Sequence, residues 1–332
     1  MNFAGTVQTQ HERISLPVSP LGRLDVAKLS PDGKYLVLST RTRGGVWVLA
    51  TGKELYLLRG FTSASFGRDG MLYAELPKHG DQERMMVQLS LSTHSARKVS
   101  YVEDENTHLE VGRLLEWKNS GKNNWELVVH DVVNNSALWT RAFERDQPWY
   151  TSNYGGAEMI FSWKLSSPAG KKEQKKQTAL TTEVAAVKDK DVGRLIEVVD
   201  DTTGKLVGVV VIEVAARYEG VGGVSRVGNL LYVSSADNRT MLYSMETGKQ
   251  IRQIFGYVVA VDADSKRICI VNRPDEAIVY DNDGAEIAHF SLGSQLRFAI
   301  FEQKGANLVL LTADQEVQTM DLTSTFTSSP TK

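Results

Sequence analysis

Histidine, aspartate, glycine, lysine and cysteine are the residue types that could carry chemistry in this 332-residue chain. The histidines are His11, His79, His94, His108, His130 and His289. None stands at the i, i+4 or His-x-His spacing of a zinc site. YDNDGAEI (280–287) and VDADSKRI (261–268) place aspartates two apart, as calcium loops do. Neither supplies the distal bidentate glutamate and the further oxygens of a shell of about 6–8 ligands, so both read as hairpin turns. RYEGVGGVSR (217–226) is glycine-rich through Gly220, Gly222 and Gly223. No helix follows to offer N–H groups and a dipole to phosphate. The glycines read instead as close backbone packing where one repeat passes into the next. Lys171, Lys172, Lys175 and Lys176 form KKEQKK, which would suit a polyanion but reads as a solvated loop. Cys269, alone and set in RICIVN, reads as a buried inert thiol and excludes an internal disulfide. There is no G-x-S-x-G elbow, phosphate loop or dinucleotide fingerprint. The expectation is no catalytic residue, no metal and no cofactor.

Aromatics and charge point elsewhere. Trp117, Trp125, Trp139, Trp149 and Trp163 crowd into 47 residues, with Trp47 the only other. Packing between strands accounts for most of them. Trp149–Tyr150 differs, because RDQPWYTSNYGG carries the proline and glycines of a connection, where an aromatic pair is partly exposed and suited to an interface. A net charge of −2 gives no basic excess for nucleic acid. The apolar run Leu206–Val211 is far short of the ~18–20 residues of a membrane span. Residues 1–20 lack the basic start and apolar core of a signal peptide. As written the protein is expected in the cytoplasm, or exported if a leader has been removed.

The elements that would position these residues repeat along the chain. Residues 24–55, LDVAKLSPDGKYLVLSTRTRGGVWVLATGKEL, hold four short strands joined by tight turns. One kind of turn, read as joining the inner two strands, recurs near Gly33, Gly70, Gly121, Gly228, Ser265 and Gly305. A second, between the outer two, recurs in ATGKEL, DTTGKLV, METGKQI and DNDGAEI. Glycine suits both because it reaches positive φ without steric cost. Most spacings fall near the ~40–50 residues of a four-stranded propeller blade. The interval from Gly121 to Gly228 leaves room for two blades and an insertion, one blade being placed at about 155–214. The predicted fold is therefore all-β, a seven-bladed β-propeller of four-stranded antiparallel blades. Six blades remain the alternative if 100–165 forms a single irregular one. The last repeat lacks a fourth strand, and HERISLPV (11–18) alternates like one, so an N-terminal strand is expected to close the ring. The domain spans 11–326, with frayed ends at 1–10 and 327–332 and a charged insertion at about 166–191. Residues 171–191 have a weak apolar stripe and several β-branched residues, which predicts an excursion with a strand near 182–187 rather than a helix.

At LSPDGKYLVLS and the ATGKEL, TTGKL and ETGKQ turns the chain resembles the bacterial WD40-like propellers of the PD40 and YVTN type. The same strand-turn pattern occurs in quinone-type propellers. The resemblance covers nearly the whole chain and implies a scaffold. The Trp-Asp and Gly-His pairs of true WD40 repeats are absent. Propeller partners usually meet loops on one face, those joining blade to blade and second strand to third. On this map that face holds Arg41, Arg43, His79, Arg84, Trp149, Tyr150, Arg239 and Arg273, with Glu75, Asp81, Glu83, Asp275 and Glu316 among them. Mixed charge favours a protein or peptide partner over a polyanion, and neither nucleic acid nor membrane insertion is expected. The reading is a non-catalytic binding or assembly module. The alternatives are an enzyme at the channel mouth (a lactonase, lyase or quinone-type dehydrogenase) or a sensor module of a larger system.

Overall fold

A computed structural model describes residues 11–15, 23–67, 70–77, 85–99, 107–110, 112–122, 124–134, 136–152, 157–177, 184, 186–214, 221–262, 264–281, 283–302 and 304–323. The expected frayed ends, 1–10 and 327–332, lie outside them. The first strand among the described residues is β1 (His11–Ser15). The first blade follows as β2 (Val26–Leu29), β3 (Tyr35–Ser39), β4 (Arg43–Val48) and β5 (Glu54–Arg59). The second is β6 (Ser63–Phe66), β7 (Leu72–Leu76), β8 (Met85–Ser90) and β9 (Ser95–Val99). The third is β10 (Thr107–Glu110), β11 (Arg113–Gly121), β12 (Asn124–Asp131) and β13 (Ser136–Glu144). The fourth holds β14 (Trp149–Ser152), β15 (Glu158–Lys164), helix α1 (Pro168–Lys176), β16 (Gly193–Asp200) and β17 (Leu206–Glu213). The fifth is β18 (Val221–Val227), β19 (Leu230–Ser235), β20 (Arg239–Ser244) and β21 (Gln250–Phe255). The sixth is β22 (Tyr257–Asp262), β23 (Arg267–Val271), β24 (Glu276–Tyr280) and β25 (Glu286–Ser291). The seventh is β26 (Leu296–Glu302), β27 (Asn307–Thr312) and β28 (Glu316–Asp321), completed by β1. Strand β1 runs antiparallel to β28, from His11 opposite Met320 to Ser15 opposite Glu316. The chain is a seven-bladed β-propeller closed by its N-terminal strand.

Each blade is sandwiched between two others, so its middle strands bury both faces and read as unbroken apolar runs. In β3, Leu36 and Leu38 pack toward the seventh blade with Val309 and Leu311, while Val37 packs toward the second with Ala64 and Leu72. Period-two alternation thus feeds two interfaces from one strand. The same division gives seven buried clusters among the described residues, one at each junction around the ring.

The turns explain the repeat. Ser30 Oγ donates to Asp32 Oδ1 (2.6 Å) and accepts from Tyr35 N (3.0 Å), and Gly33 takes φ 66° between them. In the second blade's outer turn His94 occupies the left-handed position at φ 54°, the place held by Gly52 in the first. The ladder skips a residue after the outer turns, between Val46 and Trp47, Val198 and Val199, Leu242 and Tyr243, and Val279 and Tyr280. These repeated bulges add the twist that a radial sheet needs.

Three expectations change. The third blade's inner turn is at Gly112 (φ 74°), not Gly121; Gly121 ends β11, the second strand, where the chain turns into β12, the third. With Gly112 the spacing from Gly70 is 42 residues, in step with the other blades. The fourth blade opens at Trp149 instead of near Gly155, because β14 is its inner strand. The charged insertion holds a helix. Ser167 caps α1 by accepting from Gly170 N (2.9 Å), Pro168 fits the first turn, and Lys175 and Lys176 lie at the negative end of its dipole. Val184 and Ala186, in the stretch expected as a strand, have helical backbone, and Val187 is buried against the third and fourth blades.

Candidate functional site

The first strand of a blade starts, its second ends and its third starts at the same end of the sheet. That topology puts Arg41, Arg43, Trp149, Arg239 and Arg273 on one face of the ring. His79 and Arg84 fall outside the described residues. Arg41 and Arg43 are exposed at the β3–β4 turn, and Arg41 lines a shallow recess of about 410 Å³ with Arg23, Asp25, Thr40 and Thr42. Arg273 is exposed in the sixth blade and meets Glu276 at 3.4 Å. These arginines are spread over separate blades.

Fourth, fifth and sixth blades do converge. A cleft of about 510 Å³ at their inner strands is lined by Thr151 of β14, Gly223, Val224 and Ser225 of β18, Ser234 and Ser235 of β19, Ala236 and Asn238 of the following turn, and Tyr257 and Val258 of β22. Trp149 is 36% exposed and shares a face of β14 with Thr151, two residues nearer the mouth. Tyr257 is 44% exposed and Phe255 is 46% exposed. The Arg239 guanidinium lies 4.4 Å from the Phe255 ring centroid, so its cation is held over an aromatic face at the rim. Asn238 ties the blades together, donating from Nδ2 to Asn272 O (3.0 Å) while its carbonyl accepts from Gly256 N (2.8 Å). Tyr150 does not share this rim. It points to the opposite face of β14 and stacks on Trp117 with centroids 5.3 Å apart, and burial raises its hydroxyl above the usual tyrosine range.

The sequence reading missed Tyr257, Phe255 and the small residues of the cleft. Gly256 (φ 115°) is the whole link between β21 and β22, so IFGYVV looks like one apolar strand and conceals a blade boundary. Gly223 does not serve close packing: a β-carbon added there would meet no described atom within 4 Å.

The residues weighed for other chemistry serve the fold. Asp281 Oδ1 accepts from Asp283 N (2.9 Å) and Ala285 N (2.8 Å), and Asp262 Oδ2 accepts from Ser265 N (3.0 Å), so both Asp-rich stretches are turns. His130 Nε2 lies 2.8 Å from Glu116 Oε2 on the neighbouring strand. No three metal-ligating side chains cluster among the described residues. The Cys269 thiol is fully buried and pushed up to about 12 by that burial. On the opposite face a cleft of about 870 Å³ joins the first, sixth and seventh blades, with Asp32, Asp262, Asp264 and Glu302 beside Lys34 and Lys304. Burial, then the charge of Asp32, raises the Glu302 carboxyl above its usual range.

No described helix is long and apolar enough to cross a membrane. No family model matches the chain, and no curated protein matches it. Among solved structures it is similar to a chain in a crystal structure of a mitotic checkpoint complex, with TM-score 0.56 and 11% identity over 97% of this chain and 98% of that one. It is also similar to BamB from Moraxella catarrhalis, with TM-score 0.48 and 13% identity over 93% of this chain and 85% of that one. At 11% identity the likeness to the checkpoint-complex chain is one of fold alone, a β-propeller.

Proposed function

We propose that this chain is a non-catalytic binding propeller of the bacterial WD40-like type, PD40 and YVTN, and that it recognises a protein or peptide on the face carrying Trp149 and Arg239. The observation that carries this reading is the mouth of the fourth to sixth blades. Tyr257 lines the cleft, Trp149 stands two residues before Thr151 on β14, and Phe255, with Arg239 over its ring, stands two residues before Tyr257; among the described residues the lining contains no carboxylate, imidazole, amine or thiol. Aromatic and arginine side chains dominate interface hot spots because they bury much area with few rotamers to fix. Among the described residues this hydroxyl-lined cleft holds no carboxylate or imidazole to act as the base that would activate a nucleophile. The propeller in the checkpoint complex also belongs to a protein assembly, although its surface does not carry over at 11% identity. Arg41, Arg43, Arg273, His79 and Arg84 are proposed as peripheral contacts of the same face, whereas Tyr150, packed on Trp117, is proposed only to support Trp149 from behind.

Parallel capture from the native lysate with the parent chain and a Trp149→Ala/Tyr257→Ala variant tests this. A protein retained stoichiometrically by the parent should bind the variant at least about tenfold more weakly, the size expected when hot-spot aromatics are removed. The variant should remain folded with a single cooperative transition, since Trp149 and Tyr257 lie outside the fully buried core. Equal retention by parent and variant, or no retained protein at all, overturns the reading.

A further inference from the structure

The cleft at the mouth also specifies what enters it. Its polar lining consists of hydroxyls and one amide, from Thr151, Ser225, Ser234, Ser235, Asn238 and Tyr257. Among the described residues that lining carries no charge, and the Arg239 guanidinium at the rim already lies over the Phe255 ring, so a lysine, arginine or carboxylate side chain inside the cleft would leave water without a counter-charge beside it. Ser235 is only 5% exposed and its buried Oγ has no hydrogen-bond partner, whereas Ser234 Oγ is shared with Thr240 Oγ1 (3.1 Å) and Val258 N (3.4 Å). A buried hydroxyl left unpaired destabilises the free protein. Directly opposite, the β18–β19 ladder pairs Val221 with Ser235 and Gly223 with Ser234, skipping Gly222. Strand β18 is the terminal strand of its sheet, so it carries backbone donors and acceptors that β19 does not use. A bulged glycine strand with open space above Gly223 admits a second backbone at close range.

We infer that an extended, uncharged peptide segment of the partner occupies this cleft, pairs its main chain with the free edge of β18 and completes the hydrogen bonding of Ser235. The inference rests on the reading that this face binds a protein, and it adds the chemistry of the segment recognised. A peptide main chain offers donors and acceptors along one line, which matches a strand edge. Glycine, serine, threonine, asparagine and glutamine are the side chains the lining accepts.

The test uses the full chain and a positional-scanning library of capped heptapeptides, read by fluorescence anisotropy. Two adjacent positions should select those five residues and reject Asp, Glu, Lys and Arg. A β-carbon at Gly223 meets no described atom within 4 Å, so Gly223→Val should fold as the parent does and bind the selected peptides at least about tenfold more weakly. Ser235→Ala should raise the melting temperature while weakening binding, the opposite signs expected of a hydroxyl kept for a ligand. Selection of charged residues at every position, selection of no peptide, or unchanged binding by Gly223→Val overturns the inference. If the Trp149→Ala/Tyr257→Ala contrast in partner capture survives such a result, only the inference falls; if that contrast is also absent, the reading beneath it falls too.

Discussion

Two tyrosines of the fifth blade show how much a single hydroxyl decides. Tyr232 and Tyr243 are both buried, and burial raises both hydroxyls well above the usual tyrosine range, with Asp281 and Glu213 adding to the effect. Tyr243 Oη donates to Glu213 O at 2.8 Å, while Tyr232 Oη is buried without a partner. Removing an unsatisfied hydroxyl is favourable and removing a bonded one is not. Tyr232→Phe should therefore raise stability by about 1–2 kcal/mol and Tyr243→Phe should lower it by about 1 kcal/mol. Urea denaturation with unchanged slope checks both, and a loss on Tyr232→Phe would mean that its hydroxyl is satisfied. Tyr232 and Ser235 lie on the same strand, so β19 carries two orphan hydroxyls, one in the blade interior and one at the cleft. Chemistry at this scale was partly legible in sequence. RICIVN announced the buried Cys269, because a strand with apolar residues on both faces has no room for an exposed thiol. Nothing in LLYVSS separates an orphan serine from a bonded one, since the partners of Ser234 come from other strands.

At the scale of elements, the strands were legible and the single described helix was not. Local turn chemistry sets a hairpin, and Ser-Pro-Asp-Gly and Thr-Gly-Lys carry it within a few residues. Gly121 misled because the Gly-Lys-Asn-Asn turn joining β11 to β12 uses the same residue types as an inner turn. Helix α1 has nine residues and is too short to persist alone; it exists through packing that sequence periodicity does not record. Glu173 of α1 and Glu197 of β16 are both buried, and Arg141 of β13 lies between them, 2.5 Å from Glu197 Oε2 and 3.6 Å from Glu173 Oε2. Its guanidinium also covers the Phe143, Phe161 and Trp163 rings at 5.0–5.7 Å. Lys176 and Gln177 complete the set on Glu173 and Glu197, and Lys172 pairs with Glu144 at the surface. One cation thus fastens the insertion to the third and fourth blades. Arg141→Met would leave the buried Glu197 carboxylate without a cation, while Glu173 keeps Lys176, and should cost about 3–5 kcal/mol, whereas replacing Arg141, Glu173 and Glu197 together by apolar residues should be close to neutral. Thermal unfolding of the single and triple variants separates the two cases. A mild effect of Arg141→Met alone would show that Lys176 and Gln177 suffice.

For the whole molecule, what matters is that a ring has no first or last interface. Seven buried clusters of the same construction imply that each blade is held by two others, so removing one junction turns a closed ring into an open stack with two apolar ends. The junction most exposed to that failure is where the chain's two ends meet. There Leu36, Leu38 and Trp47 of the first blade pack on Val309, Leu311 and Val317 of the seventh, and the seventh is complete only through β1. Closure by the outermost strand covers the edge of β28 with five paired residues while leaving the inner strands and the binding mouth untouched. Deleting residues 1–15 should leave β28 as a bare edge of the seventh blade, lower the melting temperature by at least about 5 °C, and promote association through that edge. Calorimetry and light scattering read the two effects separately. A synthetic peptide of residues 9–18 added in trans should restore both, because β1 is joined to its blade by strand pairing rather than by chain connectivity. A truncated chain that melts with the parent and stays monomeric would show that the seven interfaces hold the ring without the strand that closes it.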